Sequence, residues 1–326
     1  MERKKVLVCG ASGFIGRNAL LALSRNPHYE VYGTHLKTKI PSAFLEESHA
    51  KVLRADLTLK EDVEKAVKGM EVVIQAAATT SGAKDTFLKP YYHVTDNAMI
   101  NSLLFRACHE NGVKRFIFFS CTNVYASQDE PVKESDLNYQ LYDKYFGGAW
   151  TKIYLEKMCE FYSRLGVTSF TVIRHSNIYG PFDKYDLERS HVFGASVTKV
   201  MTAPDYGKVS VWGDGSEVRD VLYVDDLIDF VERVLDRQTT PFELVNVGSG
   251  EFISIRDLVT KIIQHSGKNL MIEFDRTKPS LPFKVRLNID RAKKLFGWSP
   301  KTSLDEGIRK TLDWYRCNLL QKQVVG

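Results

Sequence analysis

Cysteine is scarce in this chain and scattered. Its five occurrences, Cys9, Cys108, Cys121, Cys159 and Cys317, form no close-spaced cluster, so neither a metal site nor a disulfide framework is expected. A reducing cytoplasm is the expected setting. Long apolar runs are also missing: none approaches the roughly 20 residues that span a bilayer, and no membrane partner is expected. The chain enters its first expected strand at once, which argues against a signal peptide. Neither sign of charge dominates, since 45 Lys and Arg stand against 40 Asp and Glu. The resulting +5 does not call for a nucleic-acid partner, although it suits an anionic ligand. Internal repeats and low-complexity linkers are absent. What remains is a composition ordinary for a soluble globular protein, 44% hydrophobic and 26% charged. At 326 residues, one large α/β domain with a smaller lobe is expected.

The stretch Lys4–Gly16, KKVLVCGASGFIG, organises the rest. Val6, Leu7 and Val8 read as a strand buried on both faces of a parallel sheet. Gly10, Gly13 and Gly16 follow, and then a helical pattern through Ile15, Leu20, Leu21 and Leu23. Glycines between a strand and a helix allow a tight turn, close approach to a pyrophosphate, and close helix–strand packing. The helix start at Phe14 and Ile15 offers N–H groups and a positive dipole end to phosphates. Gly10, Ser12, Gly13, Phe14, Ile15 and Gly16 are therefore expected to bind a dinucleotide.

Strands are expected over Glu30–Thr34, Lys51–Asp56, Val72–Ile74, Val113–Ser120 and Ser169–Ile173, with helices between them. That alternation predicts a doubly wound parallel Rossmann sheet whose ligand lies at the carboxyl ends of the strands. Residues 1–178 with 218–249 are assigned to the dinucleotide-binding domain, and 179–217 with 250–326 to a smaller C-terminal substrate-binding lobe. After the second strand comes Thr34-His35-Leu36-Lys37-Thr38-Lys39, with no acid to accept a ribose 2′-OH. His35 and Lys37 suit the 2′-phosphate, so NADP(H) is preferred and NAD(H) stays open. Asp56 and Leu57 are candidates at the adenine end, with a helix cap as the alternative for Asp56. Ala76, Ala77 and Ala78 are small enough for a cofactor to cross the fourth strand end.

The G-x-x-G-x-x-G spacing resembles the extended branch of the short-chain dehydrogenase/reductase superfamily. Further stretches fall in order: AAATTSG at 76–82, NIYGP at 177–181, Ser190-His191-Val192, VWGDG at 211–215, Arg219, and Val224-Asp225-Asp226. Together with residues 275–279 and Gly297-Trp298, they are similar to the GDP-L-fucose synthase family nearly end to end. That resemblance implies a nucleotide-diphosphate sugar, here a GDP-linked 4-keto-6-deoxy sugar, that is epimerised and then reduced with NADP(H). It also implies a homodimer paired through the helices expected over Pro90–Asn111 and Ala149–Leu165, and an asparagine, Asn97, that buttresses the site.

The resemblance assigns roles to individual residues, and at two places the chain departs from the pattern. Lys152 matches the lysine that lowers the pKa of a catalytic tyrosine and holds the nicotinamide ribose. The tyrosine belongs at 148, where this chain has Gly148. Tyr145 is seven residues before Lys152 and reaches the site only if the helix starts late and the loop folds back. Cys121 holds the usual serine or threonine place, with Thr122 beside it; Asn123 holds the place of an epimerisation cysteine. A thiol is a weaker donor than a hydroxyl, yet Cys121 can take over the proton transfer. Its alternative is a small buried cysteine. His191 matches the family's epimerisation histidine, an acid or base near neutral pH. His175 is a candidate contact for nicotinamide or substrate, or else a packed strand-end histidine. Arg219 suits the diphosphate, and Asn123, Asn177, Lys199 and Trp212 are further substrate candidates. The missing tyrosine keeps other readings open: a redox-neutral epimerase or dehydratase, or a catalytically silent nucleotide-sugar or NADP-binding protein.

Overall fold

A computed structural model describes residues 2–79, 90–278 and 283–320. Seven parallel strands form the main sheet: β1 (Lys4–Cys9), β2 (Tyr29–His35), β3 (Lys51–Arg54), β4 (Val72–Gln75), β5 (Arg115–Cys121), β6 (Ser169–His175) and, later in the chain, Phe242–Val247. Their order is Phe242–Val247, β6, β5, β4, β1, β2, β3. The chain runs outward in both directions from β1 and β4, so the strand order reverses between these two. Ligands of open α/β sheets bind at that switch point. Val6, Leu7, Val8 and Cys9 are fully buried, as a central strand covered on both faces requires.

Helices cover both faces. The first four are α1 (Phe14–Ser24), α2 (Ser42–Ser48), α3 (Lys60–Val67) and α4 (Pro90–Glu110). Beyond β5, α5 (Phe146–Arg164) leads into β6. It begins three residues before the Ala149 start expected from the pattern, because Gly147 and Gly148 mask the helical signal yet are carried by the tertiary packing. Pairing extends β2 to His35 and β5 to Cys121, while β3 stops at Arg54.

After β7 (Asn177–Tyr179) come α6 (Val192–Thr202), β8 (Lys208–Trp212), β9 (Val218–Arg219), β10 (Val221–Tyr223) and α7 (Val224–Arg237). β11 (Phe242–Val247) closes the main sheet, and β12 (Ile253–Ser254), α8 (Ile255–Ser266), β13 (Met271–Asp275), α9 (Asp290–Phe296) and α10 (Leu304–Tyr315) follow. α7 buries Leu227, Phe230, Val231 and Val234 at helical spacing against the sheet. A separate core surrounds β8, which pairs in parallel with β13; Phe193, Val197, Val209, Leu258, Ile262 and Leu312 fill it. Serine caps start two helices of this core: Ser254 Oγ accepts from Asp257 N–H at 3.0 Å and Ser303 Oγ from Glu306 N–H at 3.3 Å. Buried Trp298 donates from Nε1 to Asp226 O at 3.0 Å, tying the C-terminal segment to α7. Among the described residues, no helix is long and apolar enough to cross a membrane.

Candidate active site

The turn from β1 to α1 is shaped for a close ligand. Gly10 has φ +71°, and a Cβ there would lie 2.6 Å from Ala77 Cα. A Cβ on Gly16 would lie 2.2 Å from Gly10 O. Only glycine brings the loop, the helix and the β4 end this close together. Gly13 precedes α1 with no side-chain cap, so the first N–H groups of the helix keep their capacity to bind an anion. Ser12, Phe14 and Ile15 are partly exposed around it. Thr34 of β2 holds the loop, its side-chain Oγ1 accepting from Gly10 N–H at 3.0 Å and its carbonyl O from Ala11 N–H at 2.8 Å. These features fit a dinucleotide.

At the neighbouring strand end, Ala76 and Ala77 are partly exposed and Ala78 is exposed. Asn97 Oδ1 accepts from Thr79 N–H at 3.0 Å and its Nδ2 donates to Thr79 O at 3.1 Å, so the expected buttress is a clamp on this loop. The rest of that motif, residues 80–82, lies outside the described residues, as does the end of the 275–279 stretch. Leu57 turns its side chain into the core, leaving its backbone for a ligand. Asp56 Oδ1 accepts from Thr58 Oγ1 at 2.6 Å and Thr58 N–H at 3.0 Å, a local turn rather than the expected helix cap, since Leu59 holds the N-cap of α3 with no side-chain cap bond. His35 is half-buried and Lys37 exposed.

Cys121 and His175, the last residues of β5 and β6, are register partners. Partners on parallel strands share a face, so both side chains meet at the strand ends. Burial pushes the Cys121 thiol up; the Lys152 ammonium and Asn123 N–H oppose that shift. Burial pushes His175 down to about 4, so it is neutral at physiological pH. Its Nδ1 lies 2.7 Å from Ser176 O, which fixes the proton on Nδ1 and leaves Nε2 as an acceptor. Lys152 Nζ donates to Phe119 O at 2.7 Å, two residues before Cys121. Burial lowers its pKa, while Cys121 and Glu156 favour the charge. Since β5 ends at Cys121, a 3₁₀ turn over Thr122–Val124 releases Thr122 and Asn123 from strand alternation; both are partly exposed.

The place of the missing tyrosine is open. Gly148 is exposed on the first turn of α5, and a Cβ there would meet no atom within 4 Å. Residues 148 and 152 share a helix face. Tyr145 instead occupies the N-cap of α5, after a 3₁₀ turn over Asp143–Tyr145. The helix does not start late, yet this turn folds the phenol back among Tyr142, at 5.6 Å between ring centres, and Phe283, at 5.5 Å. Burial raises its pKa, Arg219 opposes the shift, and Cys121 adds to it. Arg219 and Cys121 thus both act electrostatically on the phenol.

On the substrate side, Arg219 donates to Glu217 Oε2 at 2.6 Å and to Phe283 O at 3.3 Å. Lys199 Nζ donates to Ser210 O at 2.8 Å, Asn177 Nδ2 donates to Asp220 O at 3.0 Å, and Trp212 is exposed at the end of β8. His191 caps α6 and is exposed. The protein around it still disfavours the imidazolium, with Lys184 adding to that effect. Among the described residues, no group of three or more His, Cys, Asp or Glu could hold a metal.

Residues 6–248, from β1 through the end of the main sheet, match the NAD dependent epimerase/dehydratase family. The chain belongs to that family. It is 27% identical over 318 residues to GDP-L-colitose synthase of Yersinia pseudotuberculosis, covering 95% of this chain and 97% of the relative. It is 30% identical over 326 residues to GDP-L-fucose synthase 1 of Arabidopsis thaliana, with 98% and 95% covered. The solved UDP-glucuronic acid 4-epimerase of Bacillus cereus, in complex with UDP-glucuronic acid and NAD, superposes with a TM-score of 0.82 at 27% identity, over 96% of this chain and 99% of that one.

Within this epimerase/dehydratase frame, the settings of Arg17 and Asp183 and the pairing of Glu156 with Arg174 escaped the sequence reading. Arg17 lies one residue past the glycine loop and belongs to no motif. Asp183 follows the NIYGP motif; burial pushes it up to about 7 and its Oδ2 has no hydrogen-bond partner. Glu156 and Arg174 form an ion pair at 2.6 Å with side chains only 3% and 2% exposed. No local spacing announces any of these environments.

Proposed function

We propose that this enzyme binds NADP(H), acts on a GDP-linked 4-keto-6-deoxy sugar, and has proton exchange beside the ketone as its central chemistry. The observation that carries this reading is the open place at Gly148, one helical turn before Lys152, in a chain that keeps His191 in its motif and has Cys121 at the β5 end. Protons next to a ketone are acidic because the enolate places charge on oxygen. Exchanging them takes a group that removes a proton and another that returns it. His191 and Cys121 are the pair for that work, and Lys152 orients the nicotinamide ribose. Bound NADP(H) supplies or accepts a hydride. Thr34–Lys39 carries no acid to favour a free ribose 2′-OH, and two GDP-sugar enzymes among the relatives support the nucleotide. Reduction is the second reading, supported by the Tyr145 phenol held at the start of α5 within electrostatic reach of Cys121. Incubation with GDP-4-keto-6-deoxymannose and NADPH in heavy water should place deuterium in the sugar faster than NADPH is consumed. Equal rates would favour the reductase, and neither signal would overturn the substrate.

We also propose a homodimer. Trp150, Tyr154, Phe161 and Leu165 form one stripe along α5, and Phe161 is 57% exposed. Met99 extends the apolar surface onto α4, which packs against α5 through Phe105 and Tyr162. A second copy covers such a stripe by presenting the same face. Phe161→Glu should convert the protein to a monomer in sedimentation velocity with its melting profile otherwise cooperative; an unchanged dimer would remove α5 from the interface.

A further inference from the structure

An acid stands on the arginine that suits the diphosphate. Glu217 directly precedes β9 and Arg219 ends it, so the two side chains share one face of the extended segment. Glu217 Oε2 accepts from Arg219 Nη2 at 2.6 Å, and the side chains are only 17% and 16% exposed. Nη1 is turned onto two carbonyls, Val218 O at 2.7 Å and Phe283 O at 3.3 Å. Those carbonyls orient the guanidinium; the carboxylate opposes its charge. The backbone that carries the pair is pinned on both sides. Ile255 N–H donates to Glu217 O at 2.8 Å, and the Asp220 carboxylate is held by Ser249 N–H at 2.9 Å and Leu287 N–H at 3.2 Å. Asp220 O accepts from both Asn177 N–H and Asn177 Nδ2 at 3.0 Å, which sets the pair beside a second substrate candidate. Arg219 and Glu217 also act on the Tyr145 phenol in opposite senses. Glu217 falls between the VWGDG stretch and Arg219, outside every motif.

An exposed acid beside an arginine contributes little. A shielded one within an anion site opposes the ligand that the arginine attracts. A phosphate drawn to Arg219 meets a carboxylate already on Nη2 and must use the remaining N–H groups of the fork. The repulsion grows with every charge that phosphate carries. In a nucleotide-diphosphate sugar each phosphate carries a single charge. A free nucleoside diphosphate ends instead in a monoester, whose second ionisation near about pH 6 adds a further charge at neutral pH. We infer that Glu217 is a specificity-determining residue: held on Arg219, it rejects the extra charge of a free nucleoside diphosphate and reserves the site for the sugar-linked form. This rests on the nucleotide-sugar reading given above and adds a repulsive element to it, as discrimination between near-identical ligands requires.

The test is calorimetric titration of the full chain with GDP and with GDP-mannose, a stable sugar-linked diphosphate, at mildly alkaline pH where the terminal phosphate of GDP is ionised. Glu217→Gln, which keeps the shape and removes the charge, should tighten GDP at least about tenfold more than it tightens GDP-mannose. Glu217→Ala should give the same difference and carries the test if the glutamine chain does not fold. An equal gain for both ligands would make Glu217 a plain competitor for Arg219 and overturn the assignment. Unchanged binding, or weaker binding of either ligand, would leave it a brace for the guanidinium, which overturns the assignment as well. If the natural chain binds neither guanine ligand, UDP and UDP-glucose differ by the same charge and carry the same test, and only the guanine reading falls. Binding of none of these ligands would bring down the nucleotide-sugar reading, and this assignment with it.

Discussion

Gly148→Tyr is expected to consume NADPH at least about a hundredfold faster than the natural chain with a GDP-4-keto-6-deoxy sugar as substrate, the lower end of what a placed general acid contributes. The argument is steric and electrostatic. Nothing lies within 4 Å of a Cβ at 148, so the substitution pushes no neighbour aside. Position 148 is helical, and tyrosine is a better helix former there than glycine. Its phenol would share a face with Lys152, one turn away. Lys152 is already held by its bond to Phe119 O and, with its pKa lowered by burial, needs no rearrangement to act on a phenol. A forming alkoxide would then find a proton donor where the natural chain has open space. NADPH absorbance and deuterium uptake, followed together, read the result. Unchanged NADPH use with normal deuterium uptake would mean that the acid is already supplied, with Tyr145→Phe the next variant to measure. Loss of both signals would mean that the sugar itself fills the volume at 148.

The residues that were legible in the sequence act through near neighbours. Gly10, Gly13 and Gly16 announce their turn by spacing, and the buried run Val6–Val8 announces a central strand by composition. Gly148 is visible as a departure because Lys152 fixes the count. The start of α5 was hidden since Gly147 and Gly148 are weak helix formers, and the helix is carried by packing rather than propensity. Leu57, a cofactor candidate from its place after β3, buries its side chain in the core and offers a ligand only its backbone, which its position in the sequence does not reveal. Arg17 was illegible because its surroundings come from Phe44 and Phe182, the latter 165 residues away. Tyr145 sits in between: its seven-residue distance from Lys152 could be counted, but the 3₁₀ turn that directs the phenol could not.

Glu156→Met should destabilise the protein by about 3–5 kcal/mol, measured by urea unfolding, even though Glu156 touches no expected ligand. One turn after Lys152, Glu156 accepts from Ser120 Oγ at 2.5 Å and from Arg174 Nη2 and Nε at 2.6 and 3.0 Å. Arg174 also donates to Tyr125 Oη at 2.9 Å and Glu134 O at 3.2 Å, and Tyr125 Oη donates to Asn246 Oδ1 at 2.7 Å. Burial works against the Arg174 charge; Glu156 and Tyr125 outweigh it and hold its pKa above the ordinary value. Removing the carboxylate therefore strands a cation that cannot discharge. Adding Arg174→Met removes that cation, so the double variant should be more stable than Glu156→Met alone, despite having lost more hydrogen bonds. If the single variant proves the more stable of the two, solvent reaches Arg174 and the pair is not a dry one. The same comparison bears on the site. The pair joins α5 to β6, and Ser120 joins α5 to β5 one residue before Cys121, so the network sets the register of Lys152 against the strand ends. A double variant that folds well but exchanges sugar protons more slowly, with the KM for the sugar unchanged, would show Glu156 and Arg174 to be positioning residues for Lys152 and Cys121. Unchanged exchange in a well-folded double variant would confine them to stability.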